Sequence, residues 1–283
     1  MKLQSFIKKI VTIAIVFISQ WSVSQVPYER ILNSNDEPQN WLTYNGGYMS
    51  QRHSLLDQIN RENVNQLELT WVLQNQVFGA WQSNPIIVDG IMYVTERPNS
   101  VMAVDAVTGR VFWKYRHQNA DNALVCCGAN NRGVAVLNDK VYMGTLDAHL
   151  VALDRVNGQP LWKAEVGDVN LAYSVTMAPL AVKDKILVGV GGGEFGIRGY
   201  VAAFDAETGA QAWKTYTIPG PGEANHDSWE GDDWEHGGAP VWITGSFDAD
   251  LNLTYWGVGN PGPDWNAGQR PGDNLYSDSA IAL

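Results

Sequence analysis

Cysteine is nearly missing from this sequence: 283 residues contain two, and they are neighbours, Cys126 and Cys127. That excludes a framework of several disulfides, and also the zinc modules built from spaced cysteine pairs. Charged residues are sparse at 17%, and the basic ones are the scarcer kind, with 19 Lys and Arg against 30 Asp and Glu. The resulting formal charge of −11 excludes a nucleic-acid partner, because phosphate binding needs a basic face. The apolar run Ile10–Ile18 is about half the ~20 residues that cross a bilayer. Helical periodicity is weak throughout, and a short helix between Asn60 and Leu69 is the one helical expectation.

Tryptophan and glycine are plentiful, at 12 and 28 residues. Together with few charges, this composition suits many short strands joined by tight turns, with indoles filling the space between layers. The N-terminus has the layout of an export signal. Lys2, Lys8 and Lys9 precede the apolar run, and Ser22-Val23-Ser24 gives the small-x-small pattern of a cleavage site after Ser24. Residues 1–24 are therefore expected to be a signal peptide and 25–283 one domain, placed in the periplasm of a bacterium with two membranes. In such a compartment thiols tend to oxidise, and Cys126 and Cys127 have only each other as partners. A bridge across one peptide bond closes a very small ring and forces an unusual backbone. A buried pair of free thiols is the alternative reading.

Internal repeats give the firmest structural signal. Ala103-Val104-Asp105-Ala106-Val107-Thr108-Gly109 leads to Trp113, Ala152-Leu153-Asp154-Arg155-Val156-Asn157-Gly158 to Trp162, and Ala203-Phe204-Asp205-Ala206-Glu207-Thr208-Gly209 to Trp213. The aspartates, like the tryptophans, are 49 and 51 residues apart. Each copy reads as strand, turn, strand, with Asp opening the turn, Gly at positive φ and Trp on the returning strand. Upstream, Pro85 to Val94 forms a hairpin around Asp89-Gly90, and Leu180 to Val190 repeats the form around Lys183-Asp184-Lys185. A fourth copy opens at Ala282-Leu283. Units of this length, each too poor in apolar surface to fold alone, indicate an all-β propeller of four-stranded antiparallel blades.

The periodic Ala-x-Asp-x-x-Thr-Gly-x-x-x-Trp element resembles the tryptophan-docking repeat of the quinoprotein alcohol dehydrogenases, the methanol and ethanol dehydrogenase group. Trp41 to Gly47 and Asp57 to Val64 are similar to the start of the mature family domain, and the adjacent cysteines make the resemblance specific. It implies about half of an eight-bladed propeller, a pyrroloquinoline quinone (PQQ) cofactor, Ca²⁺ or a lanthanide, a small alcohol substrate and a cytochrome c electron acceptor. By resemblance, a Cys126–Cys127 disulfide packs on one face of the quinone and Trp242 on the other. Arg132 grips the cofactor and approaches its reactive oxygen, Thr176 donates a hydroxyl, and Gly191, Gly192 and Gly193 allow close backbone approach. Glu194 and Asn260 are the implied metal ligands, hard oxygen donors suited to such cations. The catalytic aspartate of the family is expected beyond Leu283, so this chain alone is expected to be inactive.

Three positions depart from the methanol-oxidising pattern: Gln82 stands for a glutamate that contacts PQQ, Gly191 for a serine, and Pro240 for a threonine. These put the substrate subgroup in doubt more than the cofactor. Trp229-Glu230-Gly231-Asp232 resembles a loop framing the substrate entrance. His226-Asp227-Ser228 and His236 lack any motif that would support a hydrolase triad. A non-catalytic periplasmic propeller scaffold is the alternative function, and Arg132, Glu194, Asn260 and the paired cysteines argue against it.

Overall fold

The computed structural model describes residues 24–283. The expected signal peptide therefore lies, but for Ser24, outside the described residues. Three four-stranded antiparallel sheets follow one another along the chain. The first comprises β1 (Ile86–Val88), β2 (Ile91–Glu96), β3 (Ser100–Asp105) and β4 (Val111–Arg116). The second comprises β5 (Val134–Leu137), β6 (Lys140–Gly144), β7 (His149–Asp154) and β8 (Pro160–Glu165). The third comprises β9 (Leu180–Val182), β10 (Lys185–Gly189), β11 (Tyr200–Asp205) and β12 (Gln211–Tyr216). A fourth sheet has three strands, β13 (Ser246–Asp248), β14 (Leu253–Gly257) and β15 (Ala280–Ala282). Strands pair in sequence order in every sheet, as propeller blades do. β1 lies against β5, and β5 against β9, so the first strands of neighbouring blades meet.

Each hairpin follows from its turn residues. Between β1 and β2, Asp89 and Gly90 have φ of 51° and 76°, the pair of left-handed residues that a tight two-residue hairpin requires. In the repeat, Asp105 Oδ1 accepts the Val107 and Thr108 N–H groups at 2.9 and 3.0 Å, and Asp154 and Asp205 repeat the arrangement. Hydrogen bonds from the Thr108 and Val107 N–H groups hold the Asp105 carboxyl below its ordinary value.

The tryptophans then tie blade to blade. Trp113 Nε1 donates to Arg155 O in the next blade at 3.1 Å, and Trp162 Nε1 to Ala206 O at 3.2 Å. The indole faces cover the turn glycines: a Cβ on Gly158 would stand 2.4 Å from Trp113 Cε3, and one on Gly209 2.7 Å from Trp162 Cε3. Trp71 docks in the same way on Gly109 and donates to Ala106 O, although no Asp-x-x-Thr-Gly turn precedes it to mark it in the sequence.

One expectation needs correction. Between Asn60 and Leu69 the chain forms only a 3₁₀ turn at Val64–Gln66; its exposed apolar side chains find no core to pack on, which a helix this short needs. Trp229 is buried beneath Gly237 and donates to Leu275 O, which anchors the loop between blades. Among the described residues no helix is long and apolar enough to cross a membrane.

Candidate functional site

In an antiparallel pair the start of the first strand and the end of the second lie at the same end. In this molecule that end of the blades gathers the candidate site residues. Gln82 precedes β1, Cys126 to Arg132 precede β5, Ser174 and Thr176 precede β9, and Pro240 and Trp242 precede β13. Gly191, Gly192 and Glu194 follow β10, and Asn260 follows β14. All of these except Ala129 and Asn131 line one cavity of about 450 Å³, within the range that holds small-molecule cofactors. Gly193 is the exception among the expected residues. It does not line the cavity and packs on Pro240, whose Cδ would be 2.8 Å from an added Cβ.

Arg132 and Trp242 form the cationic side. The guanidinium carbon lies 5.0 Å from the indole ring centre, a cation–π contact, and Nη1 donates to Thr176 O at 3.2 Å. Among the described residues Arg132 makes no ion pair, and burial pushes its guanidinium down from its ordinary value. Arginine nevertheless stays protonated. A half-buried, unneutralised cation in a cavity wall is a place for an anion. Trp242 is 43% exposed, its face open to the same space.

Opposite charge comes from the Glu194 loop. Glu194 sits in the 3₁₀ turn Gly193–Phe195, between Gly192 and Gly196 at φ of 114° and 78°. The first of these is obligatory, since a Cβ on Gly192 would approach Ala172 O to 2.3 Å. The Asn260 side-chain N–H₂ donates to Asp264 Oδ1 at 2.7 Å and to Pro261 O, which leaves its amide oxygen for a cation. Carboxylate and amide oxygen are ligand types that a hard cation selects.

Cys126 and Cys127 are free thiols in this structure, not the bridge that the sequence suggests. Cys127 has φ of 63°, and both sulfurs lie with a Glu194 oxygen within a 4.8 Å group. Hydrogen bonding with Cys127, burial and the neighbouring Glu194 carboxylate push the Cys126 thiol up to about 12. A thiol so stabilised in its neutral form is a poor metal ligand.

Sequence reasoning missed three contributors. Ser174 pairs with Gly191 through two backbone hydrogen bonds, and its Oγ lies 3.0 Å from where a Gly191 Cβ would be. A hydroxyl is thus offered beside position 191 from the facing segment. Asn130 lines the cavity with Nδ2 tied to Cys127 O, and its buried Oδ1 is without a partner among the described residues. Asp264 orients Asn260. No spacing rule could have found these, because each is brought in by a loop. His226 Nδ1 pairs with Pro219 O and its ring packs on Trp234, so no triad forms there.

The family described as glucose/ethanol/alcohol dehydrogenase, β-propeller domain (PQQ), matches residues 41–283. The quinohemoprotein alcohol dehydrogenase ADH-IIG of Pseudomonas putida is 42% identical over 274 residues, which cover 90% of this chain and 38% of that protein. The lanthanide-dependent methanol dehydrogenase of Methylacidiphilum fumariolicum is 38% identical, over 90% of this chain and 45% of its own. Among solved structures, the Pseudomonas putida ADHIIG enzyme superposes with a TM-score of 0.86 at 40% identity, covering 92% of this chain and 41% of that one. A europium-containing methanol dehydrogenase gives a TM-score of 0.84 at 37% identity, covering 90% and 48%. The chain therefore spans less than half the length of these relatives, and it belongs to the family of PQQ-type β-propeller alcohol dehydrogenases.

Proposed function

We propose that this chain supplies the cofactor-binding half of a PQQ- and metal-dependent dehydrogenase that oxidises small alcohols to aldehydes. The observation that carries this reading is Arg132: a half-buried cation stacked on Trp242, without an anionic partner among the described residues, across a cavity from Glu194 and Asn260. The residues fit a flat, anionic quinone. Trp242 and the sulfur pair offer the two faces, Arg132 and Thr176 the carboxylate contacts, and the unpartnered Asn130 Oδ1 an acceptor that a bound group or water would satisfy. Glu194 and Asn260 would hold Ca²⁺ or a lanthanide. When bound, PQQ and its metal would supply the hydride acceptor for alcohol oxidation. This chain's residues fix its plane, neutralise its carboxylates and exclude water around it. Reconstitution with PQQ and Ca²⁺ or La³⁺, in a protein of the relatives' full length, should give dye reduction with a short primary alcohol, and a cytochrome c is the proposed physiological acceptor. Absence of cofactor binding with either metal would leave the propeller scaffold as the function.

Export to the periplasm belongs to the same proposal. The buried Val26, paired with Asn138, supports a folded domain that begins near Gln25. Protein recovered from the periplasm of a two-membrane host should start at Gln25 and show no free thiol under denaturing, non-reducing conditions, Cys126 and Cys127 having closed on each other. An intact Met1 on soluble cytoplasmic protein, or two free thiols in the exported one, counts against the respective part.

A further inference from the structure

A second cluster of metal-ligating groups lies outside the cavity. His117 leaves the outer strand of the first blade, just after β4, while in the second blade Asp147 lies in the turn that joins β6 to β7 and His149 opens β7. His117 Nε2 is 2.9 Å from Asp147 Oδ1, His149 Nδ1 is 3.5 Å from the same oxygen, and the three ligand atoms fall within 4.8 Å of one another. The side chains are 6%, 5% and 22% exposed. None of them lines the cofactor cavity.

We propose that His117, Asp147 and His149 form a binding site for a divalent transition metal of the zinc class, which staples the first blade to the second. Ligand atoms bound tetrahedrally at 2.0–2.1 Å stand about 3.3 Å apart, and the two observed separations bracket that value. His149 Nδ1 points into the cluster, buried and with no hydrogen-bond partner among the described residues. A buried ring nitrogen left so is costly unless something binds it. The outer contacts are those that ligands need to hold their orientation. Tyr115 Oη stands 3.5 Å from His117 Nδ1, Thr145 Oγ1 donates to Asp147 Oδ1 at 2.6 Å, and Ala120 N–H donates to Oδ2 at 3.1 Å. Two imidazoles with one carboxylate select zinc, cobalt or copper over calcium, which takes oxygen donors. With three protein ligands, the fourth tetrahedral position would fall to a water.

The test is Co²⁺ and Zn²⁺ binding to the chelator-stripped chain without PQQ. One equivalent should bind, and the Co²⁺ spectrum should show ligand-field bands of nitrogen and oxygen donors with no thiolate charge transfer. His149→Ala removes a side chain whose Nδ1 has no hydrogen-bond partner among the described residues, so its fold should persist while affinity drops at least 100-fold. His117→Gln should lose binding as well, and Zn²⁺ should raise the melting temperature of the parent but of neither variant. Cys126→Ser with Cys127→Ser should bind as the parent does. No bound metal, a thiolate charge-transfer band, or unchanged affinity in His149→Ala would each overturn the site.

Discussion

Glu194→Ala is expected to lower metal affinity by at least about 100-fold, because even an outer-contact residue of a metal site contributes 10–100-fold. Alcohol-dependent dye reduction in a protein of the relatives' length should fall with it. Glu194 is the carboxylate in a cavity wall whose other proposed ligand, Asn260, offers a neutral oxygen. Without it, a hard cation would face a neutral amide and a pair of sulfurs. The blades should be unaffected: the side chain is exposed and sits in a three-residue turn between glycines, away from the docked tryptophans. Arg132→Ala separates the two functions of the cavity. It removes the cation proposed to pair with the cofactor and should weaken PQQ retention while leaving metal affinity in the cofactor-free protein largely intact. Metal content after dialysis and quinone absorbance read the two losses independently. If both variants retain metal and PQQ like the parent, the assignment of this cavity fails.

What could be read in the sequence had a local cause. The Asp-x-x-Thr-Gly turn is specified by one carboxylate accepting two N–H groups and one glycine at positive φ, all within a few residues, so Asp105, Asp154 and Asp205 announced their hairpins. The spacing of these hairpins then implied the stacking of blades. The cavity was legible only through resemblance, because its members come from four separate sheets and share no period. Ser174 and Asn130 stayed hidden for that reason. So did the His117–Asp147–His149 cluster, which depends on how the first blade leans on the second. Three consecutive glycines look alike in sequence, yet Gly191 and Gly192 line the cavity while Gly193 packs on Pro240, a difference only the loop's path decides.

The docking of Trp113 on Gly158 should be the strongest single contact between two blades, and a double-mutant cycle can show it. Trp113→Ala removes a partly buried indole and its hydrogen bond to Arg155 O, at an expected cost of about 3 kcal/mol. Gly158→Ala should cost about as much by two routes. Its φ of 72° penalises a side chain by about 1–2 kcal/mol, and the new methyl would stand 2.4 Å from Trp113 Cε3, forcing the indole off its seat. Gly90→Ala separates the two routes, because Gly90 has φ of 76° but nothing within 4 Å of an added Cβ. That variant should pay the backbone penalty alone. In the Trp113→Ala background the clash disappears, so Gly158→Ala should then cost no more than Gly90→Ala, giving a coupling of about 1–2 kcal/mol between the two positions. Urea unfolding of the four proteins in the cycle, with Gly90→Ala as the reference, measures each term. Additive costs within about 0.5 kcal/mol would mean that the indole merely lies near the turn, and that the blades are held together by their apolar faces instead.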